Sequence, residues 1–278
     1  MKTRIISGIF LAIIAASSLY VGSWYLFLLC AFISLVGMYE LYRAAGIHEK
    51  LLGICGYVVA VAYYVCVWLG KWQLETLVFV FGLMAIMTIY VITFPKYKSQ
   101  DAMLVFTGIF YVAVMLSYIY KVRVAGDGKY IVWLVFVSSW GNDTFAYFTG
   151  VLFGKHKMAP KLSPKKSVEG AVGGVTGATL LGIIYGFIIS GRMSGIFVHP
   201  VWTFAIASFI GALLSIIGDL AASAIKRNYD IKDYGKLIPG HGGIMDRFDS
   251  VIFTAPAVYW AVSVSYTHLR AHETPEHL

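Results

Sequence analysis

The chain has 278 residues, 59% hydrophobic and 13% charged, and 22 Lys and Arg against 14 Asp and Glu give it a formal net charge of +8. A water-soluble domain of this length carries roughly 25% charged residues, so the composition excludes one and predicts a polytopic membrane protein. The basic excess would suit nucleic acid, but it gathers on one side of the expected spans, and no nucleic-acid partner is expected.

Apolar runs predict an all-α fold of nine transmembrane helices, near 5–21, 23–42, 51–69, 74–94, 102–120, 130–152, 169–190, 199–225 and 247–266. Each run is long enough to cross about 30 Å of hydrocarbon. Met1-Lys-Thr-Arg enters the first run without a small-residue cleavage site, so that run reads as a retained anchor. With the N-terminus cytoplasmic, 16 of the 22 basic residues fall in cytoplasmic segments and 6 on the other face, which sets the orientation. A cytoplasmic face this basic also attracts anionic lipid and phosphates.

Residues 1–125 read as a scaffold of spans joined by short loops such as Val21-Gly22-Ser23 and Gly70-Lys71-Trp72. Trp24, Tyr25, Tyr63, Tyr64, Trp68 and Trp72 lie near span ends, as in an interfacial aromatic belt. Glu40, near the end of the second span, is expected to snorkel to the headgroups, with a site role as the lesser alternative. Cys30, Cys55 and Cys66 have no CxxC spacing and no paired histidine, so they read as small buried hydrophobes.

Residues 126–266 read as the catalytic region. Asp143 interrupts an apolar span in Trp140-Gly-Asn-Asp-Thr144, with Ser139 and Tyr147 one turn to either side. An ionisable group at such a depth marks a functional position. The following loop offers Lys165 and Lys166 to an anion; a basic loop gripping lipid headgroups non-specifically is the alternative, though it would not require the Ser-Pro turn that fixes the two lysines. Gly170, Gly173, Gly174 and Gly177 share a helical face and predict close packing against another helix. From Ser265 the sequence changes style, and three of the seven histidines fall there; residues 267–278 read as a non-native tail and are set aside.

The densest chemistry runs from Gly218 to Ser250. Asp219, Ser223 and Lys226 are spaced i, i+4, i+7 and share one helical face, with Arg227 beside them. Such a stripe is either an internal salt bridge or a carboxylate for a divalent cation next to cations for phosphate. Lys232-Asp233 precedes Pro239-Gly-His-Gly-Gly243, whose glycines let backbone N–H groups approach an anion. Asp246 and Asp249 then stand at i, i+3 at the start of the last span, where the helix N-terminus favours carboxylates and phosphates alike. Oxygen ligands without a Cys or His pair point to Mg²⁺ rather than zinc. The residues therefore predict a membrane enzyme for metal-assisted phosphoryl or nucleotidyl transfer on a polyphosphate. His241 suits an acid–base group, a phosphate donor or a loop hydrogen-bonder equally. A transporter using Asp143 and Asp219 as an ion path is the alternative from another class. It would place carboxylates at mid-membrane between inverted repeats, whereas here the charges sit at one face and no repeat is visible.

Ser223-Ala-Ile-Lys-Arg227, then Lys232-Asp233, then Pro239-Gly-His-Gly-Gly-Ile-Met-Asp-Arg-Phe-Asp249 resembles the signature of the phosphatidate cytidylyltransferases, or CDP-diacylglycerol synthases. Asp143 and Ser163-Pro-Lys-Lys-Ser-Val-Glu-Gly170 resemble a second recurrent block of that family. The resemblance implies transfer of the cytidylyl group of CTP to phosphatidic acid, giving CDP-diacylglycerol and pyrophosphate, with Mg²⁺ required. It further implies an all-helical homodimer in a bacterial cytoplasmic membrane, among membrane lipids, with its active site on the cytoplasmic side. A related transferase acting on another lipid would share the metal site. Under the resemblance Asp219, Asp246, Lys226 and Asp249 form the catalytic set, and Asp219, Asp246 and Asp249 hold Mg²⁺, with room for a second cation. Ser223, Arg227, Lys232, Asp233, His241, Gly242, Gly243 and Arg247 join Lys226 in binding the triphosphate. Asp143, Lys165, Lys166 and Glu169 face the lipid headgroup or the cytidine.

Overall fold

The computed structural model describes residues 2–194, 197, 199–237 and 242–272, with backbone alone at 2–7, 9–10 and 266–272. Helices α1 (Lys2–Val21), α2 (Ser23–Ala44), α3 (Leu51–Leu69) and α4 (Trp72–Ile92) follow the first four apolar runs. The fifth run is one continuous helical stretch: α5 (Ser99–Gly108), a π-helical turn (Ile109–Val114) and α6 (Met115–Val124). Then come α7 (Gly128–Phe153), a hairpin of β1 (Lys157–Ala159) and β2 (Ser163–Ser167), α8 (Val168–Ser190), α9 (Pro200–Asn228) and α10 (Met245–His272).

Seven of these helical stretches are long and apolar enough to cross a membrane: α2, α3, α4, Ser99–Val124, α8, α9 and Met245–Ser265 of α10. The chain is thus an all-α multi-pass membrane protein with one small hairpin. The other two expected spans are also helices. Helix α1 is 20 residues long, and the apolar stretch described in it is Leu11–Val21. Helix α7 carries Ser138, Ser139, Asn142, Asp143 and Thr144 through its middle, and these polar groups lower its hydropathy.

The chain forms two compact units. One is Met1–Tyr120 with Ile225–Phe248; the other is Lys121–Ala224 with Asp249–Leu278. Helix α9 contributes its last turn, and α10 its first, to the first unit.

Lipid tails are as apolar as leucine, so helices in a membrane associate through close packing and interhelical hydrogen bonds. The first unit uses buried tyrosines. Tyr42 donates to the carbonyl of Val105 at 2.7 Å, Tyr64 bonds Ser34 at 2.7 Å, and Tyr63 bonds Ser117 at 2.7 Å. Glu40 overturns its sequence expectation: it is 2% exposed, faces inward, and does not reach the headgroups.

The second unit uses small residues. A Cβ on Gly174 would stand 2.6 Å from Asn142 Oδ1, and one on Gly177 would overlap the Phe145 ring, so only glycine lets α8 lie this close to α7. Helices α9 and α10 touch in the same way at Gly218, where a Cβ would stand 2.6 Å from the carbonyl oxygen of Asp249.

Candidate active site

The second unit holds a cavity of about 380 Å³, within the range of small-molecule sites. Its polar end is Asp143 and Asn142 from α7, Lys165 and Lys166 from β2, and Asp219 from α9; Tyr147, Val151, Met158 and Ile216 give it an apolar wall. The hairpin delivers the two lysines. Strand β1 pairs antiparallel with β2 through Lys157 with Ser167 and Ala159 with Ser163. Ser167 then caps α8, its Oγ accepting the Gly170 N–H at 3.1 Å. The Glu169 carboxylate accepts the backbone N–H groups of Lys155 at 3.1 Å and His156 at 3.2 Å, and lies 2.6 Å from His156 Nδ1. Glu169, expected at the substrate, thus ties the start of the hairpin to the start of α8.

Inside the cavity Lys166 is ion-paired with Asp219, and each side chain is 26% exposed. Ser223 donates to Asp219 Oδ1 at 3.4 Å, so the Asp219–Ser223 half of the expected stripe forms. Asp143 opens on the cavity and accepts from Ser250 at 3.4 Å, while Ser250 bonds Ser139 at 2.9 Å. Asn142 is 2% exposed and its Oδ1 is buried without a hydrogen-bond partner among the described residues. The Asn142 oxygen faces Gly174 of α8, which leaves two carboxylates and two ammonium groups in the lining to receive a phosphate, or a cation with its phosphate.

The first unit carries a second lysine–aspartate pair, held far more tightly. Lys226 Nζ meets Asp246 Oδ1 at 2.9 Å, with the side chains 16% and 5% exposed. Asp246 Oδ2 accepts the N–H of Tyr234 at 2.8 Å and of Gly243 at 3.0 Å. Lys226 also lies 5.5 Å above the Tyr234 ring. Gly242 turns the backbone at φ 85, which a side chain rarely tolerates, and brings Gly243 N–H onto the carboxylate. Glu40 completes the cluster: its oxygens accept the N–H groups of Ile244 at 3.1 Å and Met245 at 2.9 Å. A Cβ on Gly235 or Gly243 would overlap that carboxylate. The start of α10 is expected to favour carboxylates and phosphates alike, and here carboxylates take it: the N–H groups of Gly243, Ile244 and Met245 go to Asp246 and Glu40.

Of the remaining expected residues, Arg227, Lys232, Asp233 and Arg247 are exposed. Asp249 Oδ1 accepts the Ser250 N–H at 2.8 Å. His241, with Pro239 and Gly240, lies outside the described residues. Among the described residues no three His, Cys, Asp or Glu side chains converge as a metal cage. Asn142 and Ser250 are not marked as site residues in the sequence, and Glu40 is marked there first as a snorkelling charge. A run of polar residues within the α7 span was the available signal for Asn142, and adjacency to Asp249 for Ser250; Glu40 had only its charge.

The chain matches the Cytidylyltransferase family over residues 2–265. It is 30% identical over 263 residues to the phosphatidate cytidylyltransferase of Staphylococcus haemolyticus (strain JCSC1435), covering 92% of this chain and 96% of that protein. The enzyme of the same name from Staphylococcus saprophyticus is 30% identical over 269 residues, and that from Staphylococcus aureus (strain COL) 28% over 263, with the same coverage of both chains.

Proposed function

Because the chain belongs to the cytidylyltransferase family, we propose that it transfers the cytidylyl group of CTP to phosphatidic acid, releasing pyrophosphate and leaving CDP-diacylglycerol. The observation that carries the lipid half of this reading is the cavity of the second unit, with Lys165 and Lys166 at one end and an apolar wall beside them. That lining suits a phosphate attached to something greasy.

The reaction is a single in-line displacement. An oxygen of the phosphatidic acid phosphate attacks the α-phosphorus of CTP, and the bond from that phosphorus to the bridging oxygen of the β-phosphate breaks. A phosphate monoester has a second pKa of roughly 6, so the nucleophile is already ionised at neutral pH and needs no general base. The protein's task is to bring two anions together and hold them in line. Lys165 and Lys166 take the lipid phosphate, with Asp143 and Asn142 fixing its orientation. Lys226, Arg227, Lys232 and Arg247, with Ser223, take the triphosphate and neutralise the leaving pyrophosphate.

Asp219, Asp246 and Asp249 are the carboxylates we assign to Mg²⁺, which would supply charge neutralisation and polarise the phosphate oxygens. The three are oxygen donors of the kind a hard cation takes, and here Asp219 is paired with Lys166 and Asp246 with Lys226, ammonium groups whose charge Mg²⁺ would replace. Mg²⁺ habitually completes its shell with substrate phosphates and water rather than a full protein cage. We further read α1 and α7 as spans, giving nine, with the N-terminus and the Gly218–Ser250 segment cytoplasmic in a bacterial inner membrane. The 16-to-6 division of basic residues supports this orientation.

The test is purified protein incubated with Mg²⁺, CTP labelled at its α-phosphate, and a panel of lipid acceptors. Label extracted into the organic phase with phosphatidic acid, and not with diacylglycerol, is the expected result. Transfer to a different lipid in preference to phosphatidic acid would replace the acceptor while keeping the family's chemistry. No transfer to any lipid would sink the reading.

A further inference from the structure

We propose that Glu40 is a positioning residue for this reaction: from α2 it holds the segment between α9 and α10, at Tyr234–Gly235 and Gly243–Met245, where it presents Lys226 and Asp246. The inference rests on the function proposed above for those two residues. Glu40 is the only carboxylate on α2, and it is buried in a helix apolar enough to span a membrane. A carboxylate there is costly unless both oxygens are satisfied. They are, and the donors are backbone N–H groups at the start of α10, directly before Asp246. One turn along α2, Arg43 donates to the Tyr234 carbonyl at 2.7 Å, and the N–H of Tyr234 goes to Asp246 Oδ2 at 2.8 Å. Tyr234 and Ile244–Met245 are thus both pinned by α2, the first bonded to Asp246 and the second directly before it. Gly235 and Gly243 are the positions where a side chain would collide with the Glu40 carboxylate, so the backbone at both is fitted around it. The charge also has a chemical use. Glu40 occupies N–H groups that would otherwise attract phosphate, which leaves the triphosphate to the basic side chains.

The experiment compares the parent protein with Glu40→Gln and Glu40→Ala in detergent micelles. Glutamine keeps the size and one acceptor oxygen but turns an NH₂ toward the other N–H. Without substrate, trypsin is allowed to cut after Lys232 and Lys236, which are exposed within the segment. We expect cleavage there to quicken by about threefold or more in Glu40→Gln and further in Glu40→Ala, while cleavage after Lys71 stays at the parent rate. With substrates, kcat/KM for CTP should drop about tenfold or more and KM for phosphatidic acid stay within about twofold. A purely structural cap would lower both substrates' parameters alike and loosen the whole protein. Parent-like cleavage and kinetics in Glu40→Gln would overturn the proposal, as would a loss that only follows the amount of folded protein. If neither variant folds, Gly235→Ala decides, since its Cβ forces the same carboxylate off the segment: selective cleavage supports the proposal and the parent pattern rejects it. The cleavage arm needs no turnover, so it reads Glu40 even if the assigned reaction fails.

Discussion

Lys226–Asp246 in the first unit and Lys166–Asp219 in the second are made of the same residue types, yet they differ in how much each leaves open. Asp246 is 5% exposed and spends its oxygens on an ammonium and two backbone N–H groups, whereas Asp219 and Lys166 are each 26% exposed and border a cavity. Breaking a buried pair strands a charge and costs about 3–5 kcal/mol, while a half-open pair contributes about 0–1 kcal/mol. The buried pair is therefore part of the local fold as well as of the chemistry we propose. The open pair can exchange its partners for substrate at little cost to stability. Identical residues thus do different work because of what surrounds them.

The comparison can be broken most readily at Asp246. Asp246→Ala should abolish label transfer and also lower stability by about 3–5 kcal/mol, read as a lower unfolding midpoint in detergent. An unchanged midpoint would show that the buried pair is not structural. Asp219→Asn should separate the two quantities: turnover falls by about a hundredfold or more while stability shifts by less than ~1 kcal/mol. A large stability loss there would erase the distinction. Gly177→Val tests the packing beneath the open pair, since the added side chain collides with Phe145; we expect about 1–3 kcal/mol of destabilisation. The smallest effect should come from Ser250→Ala, which removes the bonds to Asp143 and Ser139. It should cost about 1 kcal/mol or less, measured as a roughly two- to fivefold drop in kcat/KM with an unchanged fold.

The spans were legible because an apolar run of about twenty residues has few other fates than a membrane helix. The glycine face of α8 was legible for a similar reason, since small residues at helical spacing mark close packing. Asp143, Lys165, Lys166 and Asp219 stood out singly as charges that are expensive near a membrane, and the structure brings them around one cavity. Their pairing was not legible: nothing local says that Lys166 rather than Lys226 should meet Asp219. The β-hairpin was hidden because Ser163-Pro-Lys-Lys-Ser167 is polar, contains proline and lacks the alternation of a strand. Glu40 was misread for the same reason at longer range. Its partner Ile244 is 204 positions away, so the sequence showed a lone charge at a span end, whose default is to snorkel.

The most direct test of the central claim is pyrophosphate release by the purified protein, measured with CTP, phosphatidic acid and Mg²⁺ together and with each left out. The account predicts release that requires all three, is not supported by ATP, stops with EDTA, and matches the CDP-diacylglycerol formed mole for mole. Release that proceeds without the lipid, or no release from protein shown to be folded, would contradict it.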